Sequence, residues 1–118
     1  MKKTLAFFVF LSIFSGCAYN PSSVKIIFTN QSDNLTHLTI SNGSDSVQLT
    51  AKGNNSETKD LRFQRVPKTD GHYHIHIKTI GKDTSFSWGY YTNGYPFEKS
   101  INIVYKKDTT ILKSDSYE

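Results

Sequence analysis

The sequence predicts an all-β fold, a small antiparallel β-sandwich of seven or eight strands, with a small β-barrel as the alternative. Apolar side chains recur at every second position along most of the chain, the period of a strand with one buried face. Pairs of glycine, asparagine and aspartate cut these runs into short pieces. No stretch carries apolar residues at the helical period of 3.6, and threonine, serine, tyrosine and isoleucine supply β propensity throughout.

Taken in order, the first run is Val24, Ile26 and Phe28. Leu38 and Ile40 follow in LTHLTIS, and Val47, Leu49 and Ala51 continue the pattern beyond the Asn42-Gly43 turn. Gly53-Asn54-Asn55 leads to Leu61 and Phe63, and Asp70-Gly71 opens the run Tyr73, Ile75, Ile77. Gly81-Lys82-Asp83 marks the turn into Phe86, Trp88 and Tyr90, read as one inward face, with Gly89 marking a bulge or a close backbone approach. Asn93-Gly94 precedes Ile101, Ile103 and Tyr105, and YKKDTTIL forms a closing hairpin over Lys107-Asp108 to a last strand at Ile111-Leu112. About twenty inward apolar side chains make an adequate core for one domain of this size and no more.

The N-terminus belongs to a different regime. Lys2 and Lys3 precede ten residues, Leu5 to Phe14, that are apolar except for Ser12, and the small residues Ser15 and Gly16 follow. Basic, apolar and small segments in that order form a secretory signal peptide. A membrane span needs about 20 apolar residues, so this run is too short to be one. The expected divisions are a cleaved signal at 1–16, a lipidated N-terminus and tether at 17–23 (AYNPSS is small, polar and proline-containing), and a sandwich domain at 24–115.

Cys17 is the chain's single cysteine. It has no intrachain partner, so no disulfide, cysteine-based zinc site or thioredoxin-like pair is available. An exported free thiol is a liability unless capped. Ser15-Gly16-Cys17 resembles the lipobox of bacterial lipoproteins, with Phe14 standing where leucine is usual. The resemblance implies that the Cys17 thiol is acylated with diacylglycerol and becomes the mature N-terminus, anchoring the protein to the cell membrane or outer membrane on its periplasmic or exterior side. One buried acyl chain holds a protein only marginally, and lipoprotein maturation supplies two or three on one residue. Ala18, a non-acidic residue after the cysteine, is consistent with sorting to the outer membrane.

The full chain carries 14 basic and 10 acidic side chains, a net charge of +4. Loss of Lys2 and Lys3 leaves 12 against 10, or +2, which is no footprint for nucleic acid. No nucleic-acid partner is expected.

Two stretches carry chemistry worth weighing. In HYHIHIK, His72, His74 and His76 alternate with Tyr73, Ile75 and Ile77, so the three imidazoles share one strand face. Neighbouring imidazoles lie about 7 Å apart, close enough to share zinc or copper at Zn–N bonds of about 2.0–2.1 Å. The outer pair, about 13 Å apart on the same rise, cannot join them. The simpler account is a solvated face running on into Lys78, with pH sensing a further alternative. No metal and no cofactor is expected, and these three are the candidates if a metal is bound.

FSWGYYTNGYPF places six aromatics in residues 86–97. Tyr91, Tyr95 and Phe97 flank the Asn93-Gly94 turn after the inward set is assigned. Exposed tyrosine beside asparagine and glycine makes an adaptable recognition surface. The expected binding edge is Tyr91, Asn93 and Tyr95, the plainer account being tyrosines that cap one end of the sandwich with their hydroxyls in water.

No G-x-S-x-G elbow, phosphate loop, dinucleotide fingerprint or EF-hand loop occurs, and no carboxylate pair sits in an apolar setting. The chain is therefore read as no enzyme. Asn30-Gln31-Ser32, Asn34-Leu35-Thr36, Asn42-Gly43-Ser44 and Asn54-Asn55-Ser56 match the N-glycosylation pattern, a match expected from composition alone. TDGHYHIHI resembles the Asp-Gly-x-Tyr-x-Ile strand start of transthyretin-like, carboxypeptidase-regulatory-type sandwiches, which favours a sandwich, transthyretin-like or immunoglobulin-like, over a barrel. The expected function is a non-enzymatic, lipid-anchored envelope protein whose β domain binds a protein or cell-surface component. The alternatives are an inhibitor or immunity-type lipoprotein against a periplasmic hydrolase, and a metal-binding lipoprotein using the His72/His74/His76 face.

Overall fold

The computed structural model describes residues 22–107 and 109–116. The expected signal segment, Cys17, most of the expected tether and Asp108 lie outside the described residues. Among the described residues eight strands are formed, β1 (Ser23–Asn30), β2 (Thr36–Ser41), β3 (Ser46–Ala51), β4 (Asn55–Arg62), β5 (Gly71–Thr79), β6 (Lys82–Tyr91), β7 (Glu98–Tyr105) and β8 (Thr110–Ser116). They make two four-stranded sheets, ordered β4-β1-β7-β8 and β3-β2-β5-β6. Neither sheet closes on itself, so the fold is a β-sandwich rather than a barrel. Among the described residues no helix is long and apolar enough to cross a membrane.

Pairing is antiparallel except at one place. β1 and β7 run parallel, with Lys25 opposite Ser100 and Asn30 opposite Tyr105. The cause is the route of the chain. β1 hands over to the opposite sheet through residues 31–35, and β7 returns to β1's flank only after β2 to β6 have been laid down, starting from the end at which β1 starts. A parallel neighbour needs such a long connection. β1 and β2 therefore sit in different sheets, whereas the immunoglobulin constant-type domain pairs its first two strands.

The alternating residues meet between the sheets. Val24, Ile26, Phe28, Leu38, Ile40, Leu49, Leu61, Tyr73, Ile75, Ile77, Ile101 and Ile103 are all essentially inaccessible to solvent. Phe86 and Trp88 are half-buried against this cluster. β4 is different in kind. Of its eight residues only Leu61 is buried, and Glu57, Lys59 and Asp60 keep this edge strand charged, a device that discourages edge-to-edge pairing.

The inward face expected of Phe86, Trp88 and Tyr90 breaks at its last member. Tyr90 is 52% exposed and Tyr91 is 6% exposed. Between the pairs Tyr73–Trp88 and Gly71–Tyr91, two residues of β6, Gly89 and Tyr90, oppose the single His72 of β5. Gly89 has φ +63°, the left-handed conformation of the first residue in a glycine bulge. The extra residue reverses the phase, turning Tyr90 outward and Tyr91 inward.

Two buried asparagines tie the ends of the sandwich. At the end where β1 finishes, Asn30 donates from Nδ2 to the carbonyls of Asn34 (2.7 Å) and Ala51 (2.9 Å), while its Oδ1 accepts from Ser32. At the end where β1 begins, Asn42 Oδ1 accepts from the Ser44 and Asp45 amides and Nδ2 donates to the Arg62 carbonyl at 2.9 Å. The first is the distal end and the second the proximal end, since the chain joins the fold there, with Phe63 N donating to Ser22 O at 2.8 Å.

Candidate functional site

The proximal end carries the aromatic stretch. Asn93 and Gly94 have φ +57° and +77°, and Thr92 and Tyr95 exchange backbone hydrogen bonds of 3.2 and 3.0 Å. Two consecutive positive φ values define a type I′ hairpin, for which Asn-Gly is the preferred pair. The turn is held from below by the loop at residues 64–70. Gly94 N donates to Thr69 O at 3.0 Å, and Asn93 N donates to Asp70 Oδ1 at 3.1 Å. A Cβ at Gly94 would lie 2.8 Å from Pro67 O, so glycine is required by contact as well as by conformation.

Of the three residues expected to form the binding edge, Asn93 and Tyr95 are exposed and Tyr91 is not. The Tyr91 ring packs edge-on to Phe63 at 5.2 Å and Tyr73 at 6.0 Å, and its hydroxyl donates to Asn42 O at 2.8 Å. Its contacts are spent inside the domain, so Tyr91 is corrected from a surface residue to a core residue. Tyr90 takes its place outside. Its ring meets Phe97 edge-on at 5.2 Å, and Tyr90, Tyr95 and Phe97 are 52%, 38% and 46% exposed. The exposed edge is therefore Tyr90, Asn93, Tyr95 and Phe97. The signal for this exchange was Gly89, since a bulge shifts by one every side chain that follows it.

Beneath this edge lies a buried polar pair. Tyr73 donates from its hydroxyl to Glu98 Oε2 at 3.1 Å, and Glu98 is 7% exposed. Burial, then the Glu98 carboxylate beside it, pushes the Tyr73 phenol well above its ordinary range. Nothing in the spacing of the sequence pointed to Glu98 as a buried group.

The second predicted feature is in place geometrically. His72, His74 and His76 project from the outer face of β5, and His37 of β2, opposite Lys78, joins them. Each ring is engaged by a different neighbour. His72 Nδ1 donates to Gly89 O at 2.7 Å, His74 Nδ1 lies 3.4 Å from Ser87 Oγ, His37 Nδ1 lies 3.0 Å from Thr50 Oγ1, and His76 Nε2 meets the Asp83 carboxylate. Among the described residues no group of three or more histidine, cysteine, aspartate or glutamate side chains is arranged to hold a metal ion. The face is a polar surface of four histidines set among Thr39, Ser41, Ser85 and Ser87.

Comparison with protein-family models, with curated proteins and with solved structures finds no match for this chain.

Proposed function

We propose that this protein is a lipid-anchored, non-enzymatic component of a bacterial cell envelope whose β domain binds a protein or cell-surface component. Cys17, acylated after removal of residues 1–16, is the anchor, and the membrane is its first partner. The observation that carries the binding half of this reading is the exposed edge of Tyr90, Asn93, Tyr95 and Phe97. Three half-exposed aromatics around one short hairpin have the composition of a contact surface, and the hydrogen bonds that Gly94 N and Asn93 N donate to Thr69 O and Asp70 Oδ1 pre-order it. Pre-ordering lowers the entropy cost of binding.

The test has two parts. Cys17→Ser is expected to abolish acyl labelling and to release the protein from membranes, and a mutant that stays labelled and membrane-bound refutes the anchor. Crosslinking in intact cells with Cys17 in place identifies what the edge contacts. Loss of the captured species on Tyr95→Ala supports the reading, and unchanged capture places the contact elsewhere on the domain.

A further inference from the structure

We infer that the aromatic edge contacts the lipid surface itself, so that the domain stands on the membrane with its proximal end seated in the headgroup region and its distal end held away. This takes the cell-surface component of the proposal above to be the lipid surface, and it rests on Cys17 being the anchor.

The first support is chain length. Five peptide steps separate Cys17 from Ser22, and a chain spans at most about 3.3–3.6 Å per residue, so Ser22 cannot leave the lipid attachment by more than about 18 Å. Ser22 joins the fold at the proximal end, through its hydrogen bond with Phe63. The parallel register that sets Lys25 opposite Ser100 puts the start of β7, and Phe97 immediately before it, one strand over from the point where the chain joins. Strands are about 4.8 Å apart. The exposed aromatics are therefore among the parts of the domain closest to the anchor, while β1 carries the distal loops a further eight residues away, about 25 Å at strand rise.

The second support is chemistry. Tyrosine at an interface keeps its ring in an apolar setting and its hydroxyl wet, which is why it is enriched at membrane–water boundaries. Tyr90 and Tyr95 have that form, and Phe97 supplies a wholly apolar ring against Tyr90. Around them Arg62, Arg65, Lys68 and Lys99 stand against Asp45, Asp70, Asp115 and the buried Glu98 at the same end, with Arg65 Nε 3.3 Å from Asp45 Oδ1. That balance gives no net negative charge to be repelled by anionic headgroups. Three partly exposed rings are too small a surface to hold a protein on a bilayer alone. A short tether removes that requirement, because it fixes the edge at an effective concentration in the millimolar range.

The protein's own cysteine usage supplies the test. With Cys17 acylated, a new cysteine is the only free thiol, so Asn93→Cys and Ile80→Cys each accept one spin label in the lipidated protein. Ile80 is 80% exposed at the distal end. On vesicles of phosphatidylethanolamine and phosphatidylglycerol, the label at residue 93 is expected to be several-fold less accessible to a water-soluble relaxation agent than the label at 80, and more accessible to oxygen. Replacing Tyr90, Tyr95 and Phe97 together by serine is expected to abolish that difference while the protein still floats with the vesicles. Equal accessibility at 93 and 80 in floating, lipidated protein overturns the inference and leaves the anchor standing. Protection at 93 that arises only when a protein partner is added overturns it in favour of a protein-binding edge. If the Cys17→Ser protein also floats with vesicles, the anchor reading fails instead, independently of the label data.

Discussion

Tyr73 is the residue at which stability and titration meet. Its phenol is buried, donates to Glu98 and ionises above its ordinary range. The folded state therefore holds this proton more tightly than the unfolded chain, whose tyrosines ionise near pH 10. The contribution is fully present below that value and is lost as pH rises above it, by about 1.4 kcal/mol per pH unit. Urea midpoints measured from neutral pH upward are expected to hold until about pH 10 and then fall, and the fall is expected to be shallower in Tyr73→Phe. That variant starts lower at neutral pH, by about 1–3 kcal/mol, because the Glu98 carboxylate keeps its burial and loses a donor. Asn42 is the second residue to test. Asn42→Ala removes the acceptor for two turn amides and the donor to Arg62 O, and a loss of about 2 kcal/mol is expected in denaturant unfolding. Neither Asn42 nor Glu98 was legible as buried, because a polar residue in a turn-rich stretch reads as solvent-exposed until tertiary contacts are known.

At the scale of the element, alternation located every strand whose two faces differ. β1, β2, β3, β5 and β7 were legible from Val24, Leu38, Leu49, Tyr73, Ile101 and their neighbours two positions on. β4 was legible only at its end, from Leu61 and Phe63, since the rest of this edge strand buries no residue and has no alternation to read. In β6 the pattern was right as far as Trp88 and wrong afterwards, which exchanged Tyr90 for Tyr91 in the candidate edge. The bulge itself was foreseeable from Gly89, but its effect on phase depends on which strand absorbs the extra residue, and only the paired register decides that. Magnitudes predict how Gly89 responds to substitution. A Cβ there would lie 3.4 Å from Tyr73 Cδ2 and 3.7 Å from Glu98 Oε1, ordinary contact distances, so the cost of Gly89→Ala is conformational. It is expected to be about 1–2 kcal/mol. Gly89→Asn is expected to lose less, since asparagine visits the left-handed region more readily. Equal losses in thermal unfolding would point to packing rather than φ as the constraint.

At the scale of the whole molecule, the parallel pairing of β1 with β7 was the feature least legible in sequence. Periodicity assigns residues to faces but not strands to neighbours, and this pairing joins nearly the first strand residues to nearly the last. It also explains why the sandwich should behave as one cooperative unit. β1 is covered on one flank by β4 and on the other by β7, so its three buried apolar residues, Val24, Ile26 and Phe28, lie against Ile101 and Ile103 only after the chain has crossed to the other sheet and back. Closing so long a loop costs entropy before any contact repays it. A chain ending at Phe97 would keep six strands but lose β7, β8 and the buried Ile101, Ile103 and Tyr105. It is expected to give no cooperative urea transition by circular dichroism, whereas the chain from residue 17 to 118 gives one, with refolding on the millisecond-to-second scale of non-local β topologies. Trp88, the single tryptophan, is half-buried against the core and reports that refolding by fluorescence. A cooperative transition in the shortened chain would mean that the β3-β2-β5-β6 sheet with β1 and β4 is a stable unit, and that the parallel strand is an addition to the core rather than its closure.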